Sequence, residues 1–138
     1  MAEQIRALVV HRRDEAFQAL AEVLNRLGIE VVHARNCEEG TRLFKQAKPL
    51  DMVFSGVDLP DGNWTDMLIL AGQSKSYLPV IVVSQMVDIE LYLDALGSGA
   101  FDFITPPFLT SDLAHIIRSA IYKELVSVKQ NLSAQQSV

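Results

Sequence analysis

The chain has 138 residues, and its 12 Lys plus Arg against 17 Asp plus Glu leave a formal net charge of −5. That length suits one domain, and a compact fold of this size buries roughly 68% of the surface its unfolded chain exposes, enough for a core without staples. A composition of 49% hydrophobic and 21% charged residues excludes wholesale disorder, and the acidic balance argues against a protein that coats nucleic acid while remaining compatible with a carboxylate-built metal or phosphoryl site.

Apolar β-branched runs alternate with segments of helical period. Ile5 to Val10 reads as a buried strand. From Asp14 the period changes: Phe17, Leu20, Leu24 and Leu27 fall at helical spacing, and Gly28 stops that helix. Ile29 to Ala34 is a second strand. Asn36 with Glu39 three residues on predicts a capping box before a second helix, which Pro49 closes. Met52 to Ser55 is a third strand, followed by Gly56 and the turn signal Leu59-Pro-Asp-Gly62. Thr65 to about Ser74 is a weaker helix. Pro79 to Ser84 is the most β-like run, and Asp88 to Leu96 is helical in pattern, stopped by Gly97 and Gly99. Phe101 to Thr105 is a fifth strand, ended by Pro106-Pro107. Thr110 or Ser111 caps a last helix striped by Leu113, Ile116, Ile117, Ala120 and Ile121.

Five βα units with short connections imply an α/β fold, a parallel sheet covered by helices on both faces. The ligand crevice of such a sheet lies beyond the carboxyl ends of its strands. The residues standing there are His11, Arg12 and Arg13; Arg35; Gly56, Val57 and Asp58; Ser84 and Gln85; and Pro106 and Pro107. Cys37 is the single cysteine, so no internal disulfide forms. The longest apolar run, Tyr77 to Val83, is far short of the about 20 residues of a membrane span. The first six residues lack the pattern of a signal peptide. A cytoplasmic protein is expected.

Three segments carry a family resemblance: Asp51-Met-Val-Phe-Ser-Gly-Val-Asp-Leu-Pro60, Leu78-Pro-Val-Ile-Val-Val-Ser84 and Gly99-Ala-Phe-Asp-Phe-Ile-Thr-Pro-Pro-Phe108. Their joint spacing resembles the receiver domain of bacterial response regulators over about residues 5–124. The resemblance implies a doubly wound (βα)5 sandwich, flavodoxin-like, with five parallel strands in the order 2-1-3-4-5. It divides the chain into a receiver-like domain, 1–124, and a C-terminal extension or linker tail, 125–138. It also implies a cis peptide bond between Pro106 and Pro107.

The family transfers a phosphoryl group from a partner histidine kinase to an aspartate, in two-component (phosphorelay) signalling. An acyl phosphate needs a carboxylate acceptor. Mg²⁺ wants oxygen ligands, so two acids after the first strand join the acceptor. A lysine after the fifth strand neutralises the transferred charge. Carried over by position, the two metal-binding acids fall on His11 and Arg12, the acceptor on Gly56 and the lysine on Pro106. Only the hydroxyl position, Ser84, and the switch-aromatic position, Phe103, are retained. Reversing one charge beside a cation at 4 Å is worth about 4 kcal/mol at an effective dielectric of 20, roughly a thousandfold in affinity. The expectation is a pseudo-receiver: no enzyme, no metal and no cofactor, a regulatory module acting through protein contacts without aspartyl phosphorylation.

Several residues carry two readings each. Asp58 is a substitute acceptor or a solvated loop carboxylate, the second favoured for want of the remaining machinery. His11 is a ligand or phosphorylated histidine, or simply a polar residue at a strand end. His11, Arg12 and Arg13 hold an anion, or pair with Asp14, Asp58 or Asp61, the latter favoured. Cys37 reads as inert. Ser84 and Phe103 are relics or still link the pocket to the far surface. Trp64 is a solvent-facing partner contact or packs over the emptied pocket. The last helix's stripe continues through Leu125, Val128 and Leu132, a dimerising or linker helix or a frayed tail. The expected partner is a signalling protein, a kinase or a fused output domain, with a homodimer through the last helices as a further possibility; neither nucleic acid nor membrane is expected. A flavin- or small-ligand-binding flavodoxin-like protein is the alternative, but His11-Arg-Arg-Asp-Glu15 lacks the Ser, Thr and Gly of a phosphate-cradling loop.

Overall fold

The computed structural model describes residues 4–46, 48–74 and 78–122. The first strand, β1 (Arg6–Val10), leads to α1 (Glu15–Arg26), then β2 (Glu30–Ala34), α2 (Cys37–Phe44) and β3 (Met52–Gly56). A two-stranded hairpin follows, β4 (Asp58–Leu59) and β5 (Gly62–Asn63), then α3 (Trp64–Gly72), β6 (Val80–Val83), α4 (Ile89–Gly97) and β7 (Asp102–Ile104). A last helix, α5, covers residues 110–122. It already includes residue 110, so neither Thr110 nor Ser111 stands before it as the expected cap.

The main sheet has the order β2-β1-β3-β6-β7, and every pairing in it is parallel. That is the expected 2-1-3-4-5 order once the hairpin is set aside. The hairpin is the one addition. Its antiparallel pairs, Asp58 with Asn63 and Leu59 with Gly62, turn at Pro60-Asp61.

Alternation along each strand builds two cores. Ala7 and Val9 of β1, Met52 and Phe54 of β3, and Ile81 and Val83 of β6 point to one face. There they meet Phe17, Leu20 and Leu24 of α1 and Leu113, Ile117 and Ala120 of α5. Leu8, Val10, Val53 and Val80 point the other way, against Met67 and Ala71 of α3, with Leu43 and Phe44 of α2 beside them. Burying each Val, Leu, Ile, Phe or Met among them is worth about 1.5–3 kcal/mol, so both helical layers are held by the sheet.

Caps set the helix starts. Asp14 accepts from the Phe17 N–H at 2.9 Å, Asn36 from the Glu39 N–H at 2.8 Å and Asp88 from the Leu91 N–H at 3.0 Å. The box predicted at Asn36 is only half made. Glu39 reaches one residue further back, taking the Arg35 N–H at 2.8 Å, and pairs with its guanidinium. The complete capping box is at Asn63 and Asp66, ahead of α3. Gly28 leaves α1 with φ +78, where a side chain is strained. The Pro106-Pro107 peptide bond is cis, as the resemblance implies. Among the described residues, no helix is long and apolar enough to cross a membrane. Leu125, Val128 and Leu132, and with them the 125–138 extension, lie outside the described residues.

Candidate functional site

The carboxyl ends of β1, β3 and β6 open into a cleft of about 240 Å³ lined by His11, Arg12, Gly56, Val57, Asp58, Ser84, Gln85, Met86 and Asp88, among others. Of the predicted pocket positions, His11, Arg12, Gly56 and Ser84 therefore converge, while Pro106 is not part of the lining, and the chemistry rests on how each is held.

His11 extends the β1 ladder by one bond, its N–H donating to the Ala34 carbonyl at 3.0 Å. The imidazole is 6% exposed. Its Nδ1 donates to the Arg12 carbonyl at 2.8 Å, and the Asp14 carboxylate stands 3.5 Å from the same nitrogen. The His11 carbonyl accepts from His33 Nε2 at 2.9 Å, and His33 is itself stacked on Phe17 at 3.9 Å. His11 is thus fixed from both sides.

Gly56 closes β3 and is buried. A Cβ built on it would stand 3.0 Å from Cδ2 of His11 and 3.6 Å from Cγ and Nε2. The imidazole therefore takes the room that a side chain at 56 needs. Ser84 is buried, and its hydroxyl donates to the Met86 carbonyl at 2.8 Å within its own loop. Pro106 is exposed and offers no charge.

The acids around the cleft serve as helix caps, tie the hairpin to α2 or stand exposed at the rim. Asp14 and Asp88 cap α1 and α4. Asp58 is exposed on the short hairpin strand. Asp61 accepts from the Cys37 and Glu38 N–H groups at 2.7 and 3.0 Å, tying the hairpin turn to the start of α2. Those two N–H groups, Cys37 first, hold the Asp61 carboxyl below its usual range. Of the pairings expected between His11, Arg12 or Arg13 and Asp14, Asp58 or Asp61, only His11 with Asp14 is found, at 3.5 Å; Arg12 and Arg13 are exposed and form no ion pair among the described residues. Both guanidinium groups lie in water, where an ion pair gains little over hydration, and both Asp61 oxygens are already engaged at α2.

Mg²⁺, which the resemblance implies, does not suit this donor set. The first crevice loop supplies an imidazole whose Nδ1 is spent on a carbonyl and an exposed guanidinium, and β3 ends without a side chain. Among the described residues, no three of His, Cys, Asp and Glu gather as a metal site.

Three further sequence-predicted residues are relocated or explained. Trp64 as a partner contact is corrected: the indole is 5% exposed and packs with Val82, Ala95 and Ala100 beneath α4. Phe103 is half-buried against the same cluster and meets Tyr92 of α4 edge-on at 5.8 Å. Burial, and then the neighbouring Asp61, pushes the Cys37 thiol up to about 11, which keeps it protonated and poorly nucleophilic. Sequence reasoning missed the Asp61–α2 contact, although Asp61-Gly62 is a hairpin signal.

With this geometry in place, comparison with known proteins is direct. Residues 7–118 match the response regulator receiver domain family. The response regulator protein PilR of Pseudomonas aeruginosa is 28% identical over 116 residues, which are 84% of this chain and 26% of PilR. The chemotaxis protein CheY of Thermotoga maritima is 31% identical over 109 residues, 77% of this chain and 88% of CheY. The chain thus spans about a quarter of one curated relative and most of another. Among solved structures, a response regulator receiver domain protein of Clostridium thermocellum superposes with a TM-score of 0.77 at 24% identity, covering 88% of this chain and 98% of that one. By the extent of the sequence match, and in keeping with the sheet order, the chain belongs to the response regulator receiver domain family.

Proposed function

We propose that this receiver domain works in two-component signalling as a protein-interaction module that is not switched by an aspartyl phosphate. The carrying observation is the pair His11 and Gly56: the position the family gives to the acceptor has no side chain, and a buried imidazole fills the space above it. Phosphoryl transfer needs an oxygen nucleophile, a cation and a charge-neutralising lysine in one place. The corresponding positions here hold Gly56, then His11 with Arg12, and Pro106.

The module's output is then set by contacts with a signalling protein, a kinase or an output domain. A receiver that carries no phosphate keeps one surface on display, and its partner reads that surface directly. Incubation with acetyl phosphate and Mg²⁺, read as intact mass, tests the proposal. The expected spectrum is unchanged; gain of one phosphoryl group per chain overturns it.

A further inference from the structure

The cleft carries charges of both signs that do not pair with each other. Arg12 stands on the loop after β1, Asp58 on β4 and Asp88 at the start of α4, and all three line the same space of about 240 Å³. Among the described residues, neither carboxylate forms an ion pair with the guanidinium. Asp88 spends Oδ1 on the Leu91 N–H at 3.0 Å, and its Oδ2 has no hydrogen-bond partner among the described residues.

His11 adds a buried polar atom to the same lining. The residue is 6% exposed. Its Nδ1 faces the Arg12 carbonyl at 2.8 Å. A carbonyl only accepts, so Nδ1 carries the proton and Nε2 of the neutral ring is an acceptor. Nε2 has no hydrogen-bond partner among the described residues. It belongs to the ring edge that covers Gly56, and both residues line the cleft. Val57, Val83 and Leu91 add apolar surface to the lining.

These groups define a ligand by complementarity. Drug-sized ligands take pockets of about 300–1,000 Å³, so this cleft suits a smaller molecule. Two carboxylates and an imidazole acceptor call for an ammonium, which has three N–H donors and no acceptor. A guanidinium calls for a carboxylate, which it takes bidentately. A free phosphate would meet Asp58 and Asp88, and a plain amine would meet Arg12, each a like charge left uncompensated.

We propose that the cleft binds a small zwitterion, an α-amino acid with a short aliphatic side chain. Its carboxylate sits on Arg12, its ammonium among His11 Nε2, Asp58 and Asp88, and its side chain on Val57, Val83 and Leu91. This goes beyond the protein-contact reading, because it makes the module responsive to a metabolite. The bound molecule ties the loop after β1 to the hairpin and to the first turn of α4.

The test is calorimetry on the full chain at neutral pH, without phosphodonor or Mg²⁺. The probes are glycine, L-valine and L-leucine, then isobutylamine and isovalerate, which are valine without its carboxylate or its ammonium, and inorganic phosphate. Saturable binding of at least one amino acid is expected, with both half-molecules and phosphate tenfold weaker or more. Arg12→Gln and, separately, Asp58→Asn are each expected to weaken that binding tenfold or more. The melt of the unliganded chain stays in place in both, since both side chains are exposed. The Nε2 nitrogen resonance of His11 is expected to shift at saturation. Absence of binding by all three amino acids overturns the proposal. So does a half-molecule or phosphate that binds as tightly, an affinity unaltered by the two substitutions, or an unmoved Nε2 resonance. With no phosphodonor present, failure here leaves the reading without aspartyl phosphate standing, and a mass gain with acetyl phosphate overturns that reading without bearing on this titration.

Discussion

Cδ2 of His11 stands 3.0 Å from where a Cβ on Gly56 would be. The two residues are complementary in volume: the absence of a side chain at 56 is what lets the imidazole lie buried at the end of β1. Enlarging one partner therefore strains the other. Gly56→Ala is expected to cost about 1–3 kcal/mol by urea denaturation. In a His11→Ala background the same change costs less, because the ring is gone. Equal costs in both backgrounds would show that the two side-chain volumes are not coupled.

Trp64 is the single tryptophan of the chain and lies beneath α4. Its native fluorescence is expected to be blue-shifted and shielded from acrylamide, moving red on unfolding. Trp64→Ala removes a buried aromatic and is expected to cost about 3–5 kcal/mol. Emission already at the solvent-exposed wavelength in the native chain contradicts its placement.

How far these features could be read in advance depends on periodicity. The five main strands follow from β-branched runs such as Val80-Ile-Val-Val83, and their order from the family resemblance. Trp64 stayed open because α3 is apolar on most sides, with Met67, Leu68, Leu70 and Ala71 in succession; no polar face marks which way the indole points. The hairpin strands are two residues each, too short to show a period. The Asp61 contact spans 24 residues in sequence, so no local pattern announces it. His11 and Gly56 were each legible as residues out of place, but their fit to one another required three dimensions.

Asp61 joins the hairpin turn to α2, and its carboxyl is held below the usual range by the Cys37 and Glu38 N–H groups. A lowered folded-state value means that the charged form stabilises the fold above the ordinary carboxylate range, and that this contribution is lost as pH falls through the lowered value. Asp61→Asn is expected to melt earlier than the parent at neutral pH, with the gap closing in acid. A gap that widens as pH falls contradicts the contact.

Burial and Asp61 together raise the Cys37 thiol to about 11. At pH 8 the native chain is expected to react slowly with a disulfide reagent, and at the rate of a free thiol after unfolding in urea. Asp61→Asn removes one of the raising charges and speeds the native reaction. Fast native labelling contradicts the half-buried, protonated state.

The central claim is that no aspartyl phosphate forms at the end of β3. The most direct measurement is intact mass of the full chain after acetyl phosphate and Mg²⁺, alongside a receiver domain bearing the complete acid set. The control is expected to gain a phosphoryl group and this chain to keep its mass. Stoichiometric phosphorylation of this chain on any aspartate, Asp58 included, would contradict the account.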